Sequence, residues 1–118
     1  MDVAYAVAAA VTALMLGMSA WMKVVRHPRT VEVIGDVVGV PLRALPVLAT
    51  LEIAGAVGLL VGIGVRELGI AAGVALVLYF VVAISSHIRV RDFVADHLFP
   101  AVLMLTVSVA TLVLRIAA

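Results

Sequence analysis

Cysteine is absent from the 118 residues, and its absence excludes disulfides, thiol catalysis, iron–sulfur clusters and cysteine-type zinc sites. Charged residues are also scarce, at 13% of the chain against about 25% in an average soluble protein. The net charge is only +1 and no basic stripe is present, so we predict no nucleic-acid partner. The three histidines lack the short spacing of metal ligands, and no phosphate-binding glycine loop or HExxH motif occurs. We therefore predict no metal site.

Apolar side chains fill the chain instead. They make up 66% of the residues, against about 45–50% in ordinary soluble domains, and the mean hydropathy is +1.33. A soluble fold of this size buries only about two-thirds of its surface, so the apolar excess would face water. The composition indicates that lipid is the solvent.

Four apolar stretches are long enough to cross a bilayer, which needs about 20 helical residues. They are 3–22, 45–65, 68–88 and 98–114. Backbone polar groups in lipid must be satisfied within the chain, so each stretch is predicted to be a helix. We expect an all-α, polytopic four-helix membrane bundle that forms a single transmembrane domain over residues 1–118. The first stretch lacks a basic leader, so we interpret it as a retained helix rather than a signal peptide.

The connections differ in charge and in length. The first and third connections carry six basic residues and the opposite side carries two, so the positive-inside rule places the first and third in the cytoplasm. The first connection contains a mostly apolar segment, 30–41, that is too short to span. Thr30 is predicted to cap a short helix there, and Gly39 and Pro41 to end it. The segment is interfacial or re-entrant, or else a plain amphipathic linker.

Glu52 is the sharpest signal in the sequence because it lies seven residues into the second span, roughly 10 Å below the interface. A carboxylate inside a bilayer costs about 2.5–3.5 kcal/mol on insertion scales, so a partner, water or protonation must offset it. Intramembrane acids often mark functional sites. The structural alternative is an ion pair or hydrogen bond that locks two helices together.

Nearly all other polar side chains fall in the same half of the bundle as Glu52. The opposite half offers Arg66, Glu67, Arg115 and a few hydroxyls. We therefore predict a polar pocket beneath the first connection. Its candidate catalytic residues are Glu52, Tyr79 and His87. Its candidate ligand-binding residues are Lys23, Glu32, Asp36, Ser86, Arg89 and Asp92. Here Glu52 and His87 would exchange protons and Tyr79 would donate a hydrogen bond.

Several motifs carry a family resemblance. They are Lys23, residues 27–32, 39–41, 45–46, 51–52, 55–56, 59–60, Gly62, residues 79–80, His87, Arg89, Asp92 and residues 100–101. The chain resembles the DoxX-like family of small bacterial membrane proteins. The resemblance implies a four-helix bundle in the bacterial cytoplasmic membrane, associated with redox or thiol-stress assemblies, with quinone as a ligand. The fold is also similar to sterol-isomerase-like bundles, whose cavities hold hydrophobic molecules and whose acids transfer protons.

Three functions remain open at this point. The first is an accessory or ligand-binding component of a membrane redox or lipid-related system, which binds a hydrophobic small molecule or a partner redox protein and has no cofactor of its own. The second is a small intramembrane enzyme in which Glu52 acts as general acid or base in isomerisation or epoxide opening. Transport of a small solute or proton ranks last. Stripes of small residues also leave a homo-oligomer open.

Overall fold

Four long helices and one short helical segment make up the chain. The structure is a computed structural model that describes residues 3–117, apart from the side chains of residues 95 and 96. The helices are, in chain order, α1 (Val3–Val24), α2 (Pro28–Thr30), α3 (Leu45–Val61), α4 (Arg66–Arg89) and α5 (Ala95–Ala117). A π-helical turn at Val31–Val37 continues α2, and a 3-10 turn at Leu42–Ala44 leads into α3.

The predicted all-α fold with four long apolar helices is confirmed, since α1, α3, α4 and α5 lie in helical stretches long and apolar enough to cross a membrane. Their ends differ from the predicted ones. Helix α3 stops at Val61 rather than at residue 65, because the chain turns through residues 62–64 to reach α4. Helix α5 begins at Ala95, so Pro100 lies within its second turn rather than at its start. The apolar run alone does not reveal such ends, because it continues past the end of α3 and because the first turn of α5 contains polar residues that precede its apolar run.

The long helices form a ring in which each packs on two neighbours: α1 on α3 and α5, and α4 on the same two helices. We name the two ends of this bundle. The proximal end is where α1 and α4 finish and α3 and α5 begin, and the distal end is the opposite one. The buried apolar core includes Leu16, Leu59, Leu76 and Phe80.

Small residues let α3 and α4 approach closely at the distal end. A Cβ atom added to Gly62 would collide with the Gly69 backbone and would lie 2.6 Å from the Tyr5 hydroxyl oxygen. Added at Gly58, it would lie 2.7 Å from the Ala72 Cβ. This contact uses the predicted small-residue stripes inside the bundle, as membrane helices commonly do.

The first connection forms the predicted short helix but begins it differently. Thr30 as the cap is wrong: its backbone is helical, and the His27 side chain accepts a hydrogen bond from the Arg29 N–H at 3.2 Å. Pro28 occupies the first helical position, where its missing N–H leaves no bond unmade. Gly39 then ends the segment with φ of 88°, a conformation that glycine adopts without strain. An interfacial or re-entrant position of this segment stays a prediction.

The close helix crossing generates a stability prediction. Gly62→Ala places a methyl group against the backbone of α4, so we expect a loss of about 1–3 kcal/mol, typical of overpacking. Gly17→Ala is the matched control, because a Cβ at Gly17 meets open space and alanine favours a helix by about 1 kcal/mol over glycine. Unfolding of both variants in mixed micelles by added SDS measures the difference. Equal stability of the two variants would contradict the packing described.

Candidate functional site

Lys23 and Glu52 form a buried ion pair between α1 and α3. The Lys23 Nζ lies 2.8 Å from the Glu52 Oε1, and the two side chains are 8% and 0% exposed. Lys23 belongs to the last turn of α1 and Glu52 to the second turn of α3. Helical side chains lean toward the N-terminus of their own helix. Lys23 therefore leans down into the bundle while Glu52 leans up toward the proximal end, and the opposite charges meet between the antiparallel helices.

Within the pair, the lysine makes a hydrogen bond of good geometry and the glutamate does not. Lys23 Nζ donates a hydrogen bond to the Ser19 Oγ, one turn earlier in α1, at 2.8 Å. The contact with Oε1 of Glu52 is electrostatic, since neither carboxylate oxygen accepts a hydrogen bond of good geometry from the described residues. The Glu52 Oε2 is thus a buried acceptor with unused capacity. The ammonium provides the neutralising charge that a carboxylate at this depth requires.

Tyr79 is the one other predicted catalytic residue that the structure places near Glu52. It is half-buried on α4, and the Glu52 charge acts on its phenol. Its ring meets the Phe80 ring edge to face, with centroids 4.8 Å apart. Ser19, Lys23 and Glu52 therefore join α1 to α3 by direct contacts, and Tyr79 of α4 lies within range of the Glu52 charge.

His87 lies in a different cluster, where it contacts Asp92 rather than Glu52. The His87 Nδ1 is 2.8 Å from the Asp92 Oδ2, and the His97 Nδ1 is 2.9 Å from the same oxygen. One carboxylate thus links the end of α4 to the beginning of α5. The sequence analysis does not identify His97 as a site residue. The pattern that could have indicated it is the spacing of the two histidines, since His87 and His97 each lie five residues from Asp92.

The environment of Asp92 favours its charged form. Burial by itself would raise the pKa of this carboxyl, but hydrogen bonds from His87 and His97 outweigh burial and hold the pKa below its ordinary value of 3.8. The Val94 backbone N–H also donates to its Oδ1, at 3.4 Å. Among the described residues, no group of three or more side chains is arranged to hold a metal ion. The histidines therefore position and stabilise a carboxylate at the proximal end.

The remaining candidates of the predicted pocket are dispersed. Glu32, Asp36 and Arg89 are exposed. The Ser86 hydroxyl donates to the Val82 carbonyl of its own helix at 2.9 Å. The structure therefore gathers the predicted residues into two clusters, one at Glu52 and one at Asp92, and includes Glu32, Asp36, Arg89 and Ser86 in neither.

Buried polar side chains also occur outside the two clusters, and they include Arg115 and some of the hydroxyls expected in the opposite half. The Thr12 and Thr111 hydroxyl oxygens lie 3.1 Å apart between α1 and α5. At the distal end the Tyr5 hydroxyl donates to the Leu59 carbonyl at 2.7 Å, and the Arg115 guanidinium lies 5.0 Å from the Tyr5 ring centroid. The sequence of an apolar helix does not indicate which neighbouring helix a hydroxyl side chain faces. These contacts therefore could not be predicted from the sequence.

The outer face of α1 carries an apolar groove. Its lining residues are Ala13, Leu14, Gly17, Met18, Trp21 and Met22. Trp21 is 66% exposed, as expected for an aromatic anchor near a membrane interface. The groove faces away from the Glu52 cluster and is open to the surroundings.

Comparison with protein-family models identifies a family for this chain. The family model described as the DoxX-like family matches residues 7–111. The matched range contains both the Glu52 and the Asp92 clusters. No curated protein and no solved structure matches the chain.

The buried ion pair predicts strong coupling between its two members. Glu52→Leu or Lys23→Met alone leaves a buried charge without its partner, which typically costs about 3–5 kcal/mol. The double variant Lys23→Met/Glu52→Leu removes both charges and is expected to recover most of that loss. Glu32→Gln, which removes an exposed carboxylate, is the control. SDS-induced unfolding measures all four, and additive losses in the double variant would show that the pair is not coupled.

The Asp92 cluster predicts a stability change with pH. A pKa held below 3.8 means that the charged carboxylate stabilises the fold above that pH. That stabilisation is lost as pH falls through the lower folded-state pKa. The wild type should therefore have a higher Tm than Asp92→Asn at pH 7, and the difference should shrink below pH 3.8. Thermal unfolding of both proteins across this range measures it, and a constant difference would contradict the assignment.

Proposed function

Since this chain belongs to the DoxX-like family and has four helices able to cross a membrane, we propose that it is an accessory, non-catalytic component of a membrane redox or lipid-related system. The observation that carries the proposal is the closed Lys23–Glu52 ion pair. The most unusual residue of the chain is engaged in holding two helices together. This supports a rigid bundle whose partners bind at its outer surface.

The same ion pair disfavours the intramembrane enzyme. A general acid or base must come within about 3 Å of the proton that it transfers. The Glu52 side chain is 0% exposed and contacts an ammonium, so a substrate would have to displace Lys23 to reach it. His87, the other predicted proton carrier, contacts Asp92 instead. Isomerisation or epoxide opening at Glu52 therefore requires a rearrangement of the bundle.

The α1 groove is a surface that can accommodate a hydrophobic ligand. Its lining is almost entirely apolar, and a Cβ at Gly17 meets nothing within 4 Å, so the floor of the groove is free. A flexible isoprenoid or acyl chain matches such a surface, and a quinone is the ligand that the family resemblance implies. The predominance of basic residues at the proximal end supports a cytoplasmic orientation of that end in a bacterial membrane.

Filling the groove tests this proposal. Gly17→Leu places a large side chain at its floor, and Ala75→Leu adds the same bulk at an exposed position of α4 as the control. Purification from native membranes in mild detergent, followed by solvent extraction and mass spectrometry, should recover a quinone or another hydrophobic molecule with the wild type and with Ala75→Leu. Recovery with Gly17→Leu should fall severalfold.

Two outcomes would overturn the proposal. One is a wild-type protein recovered as a homo-oligomer with neither a bound hydrophobic molecule nor a partner protein. The other is turnover of a hydrophobic substrate by the isolated protein that disappears in Glu52→Gln, which would establish the enzyme instead.

A further inference from the structure

The distal end of the bundle holds a buried cation that has no carboxylate partner among the residues that the structure describes. Arg115 is 8% exposed and is the one buried arginine among the described residues. Its Nε has no hydrogen-bond partner there. None of the ion pairs found among residues 3–117, side chains 95 and 96 aside, involves Arg115. A guanidinium in apolar surroundings without an anion is costly, so an anion from outside the chain would be stabilising.

The surroundings of Arg115 hold its side chain in place without neutralising it. The guanidinium lies over the Tyr5 ring, at 5.0 Å from its centroid. The Tyr5 hydroxyl is itself fixed by its hydrogen bond to the Leu59 carbonyl. The Arg115 Cγ would lie 3.2 Å from a Cβ added at Gly69, so this side chain packs on the first turns of α4. A cation–π contact orients a guanidinium but leaves its N–H donors available.

Two further positive groups lie at this end. Arg66, the first residue of α4, donates from its Nη2 to the Ile116 carbonyl of α5 at 2.9 Å, next to Arg115 in the chain. The N-terminus of α4 has no side-chain cap, because Val65 precedes it. Its first N–H groups therefore add the positive end of a helix dipole. Glu67 is the acidic residue of that turn, and it is exposed and outside ion-pair distance of both arginines.

We infer that Arg115 and Arg66, with the uncapped start of α4, bind the phosphate of an anionic phospholipid headgroup at the distal end of the bundle. Arginine matches phosphate oxygens with paired N–H donors. Basic pockets between membrane helices bind anionic headgroups. Val65, Leu68 and Ile116 are exposed beside the two arginines and provide apolar surface for the acyl chains. This site lies at the opposite end from the Glu52 and Asp92 clusters and is independent of the proposed accessory function.

Native mass spectrometry of the detergent-solubilised full chain tests the inference. The protein is titrated with phosphatidylglycerol, with zwitterionic phosphatidylcholine and with soluble glycerol phosphate. The wild type should bind phosphatidylglycerol about tenfold more tightly than phosphatidylcholine, which corresponds to about one charge-assisted hydrogen bond. Glycerol phosphate should compete poorly because it lacks acyl chains. Competition equal to that of the lipid would assign the site to free phosphate and overturn the lipid assignment.

The variants separate the arginines from general surface charge. Arg115→Gln and Arg66→Gln should each weaken phosphatidylglycerol binding by about threefold to tenfold. Arg89→Gln removes an exposed arginine at the proximal end and should change nothing. If Arg115→Gln fails to fold, the binding measured with Arg66→Gln provides the test, because Arg66 is exposed and its replacement leaves the core intact. Unchanged binding in Arg66→Gln, or equal loss in Arg89→Gln, would overturn the inference.

One acidic residue of the chain must be tested separately. Asp2 lies outside the described residues but is close in sequence to Tyr5. Asp2→Asn should leave phosphatidylglycerol binding unchanged. Selective binding seen only in Asp2→Asn would mean that the carboxylate of the chain itself occupies the site, and it would overturn the inference.

Discussion

A lysine and a glutamate meet at 2.8 Å inside a chain that is 66% apolar, and the packing of α1 on α3 depends on that contact. In lipid, apolar side chains provide little driving force for helix association, because the acyl chains are equally apolar. Polar contacts between helices and close approach of their backbones must then determine which helices pack together. Glu52 is tolerable at its depth because Lys23 supplies the opposite charge, and the two helices are held in one register as a result.

The same principle accounts for the rest of the ring, in which each pair of neighbouring helices is joined by a specific contact. The interface of α1 with α5 has the Thr12–Thr111 contact, and that of α3 with α4 has the glycine crossing at Gly62. The connection from α4 to α5 is fixed by the two histidines on Asp92. These polar contacts lie inside the bundle, whereas the outer faces of the helices are largely apolar.

Much of this architecture is predictable from the residues, because span length and hydropathy determine which segments can cross. The depth of Glu52 follows from helical rise, and an ion pair locking two helices was one of its two interpretations. The partner was harder to identify: spacing along a helix indicates depth and face but not which neighbour that face meets. The sequence therefore predicts Lys23 only as a ligand-binding residue of the pocket, whereas in the structure it pairs with Glu52. The His87–Asp92–His97 cluster depends on the turn between α4 and α5, where Arg91 adopts a φ of 56°. That turn has no glycine to mark it.

The charge state of Glu52 in the membrane tests the central claim most directly. Infrared difference spectra of the wild type and Glu52→Gln, both in lipid bilayers at neutral pH, isolate the absorption of this one side chain. An ion pair with Lys23 predicts a carboxylate stretching band that is lost in the variant. A protonated carbonyl band at the same pH would contradict the ion pair, and with it the assignment of Glu52 to holding the helices together.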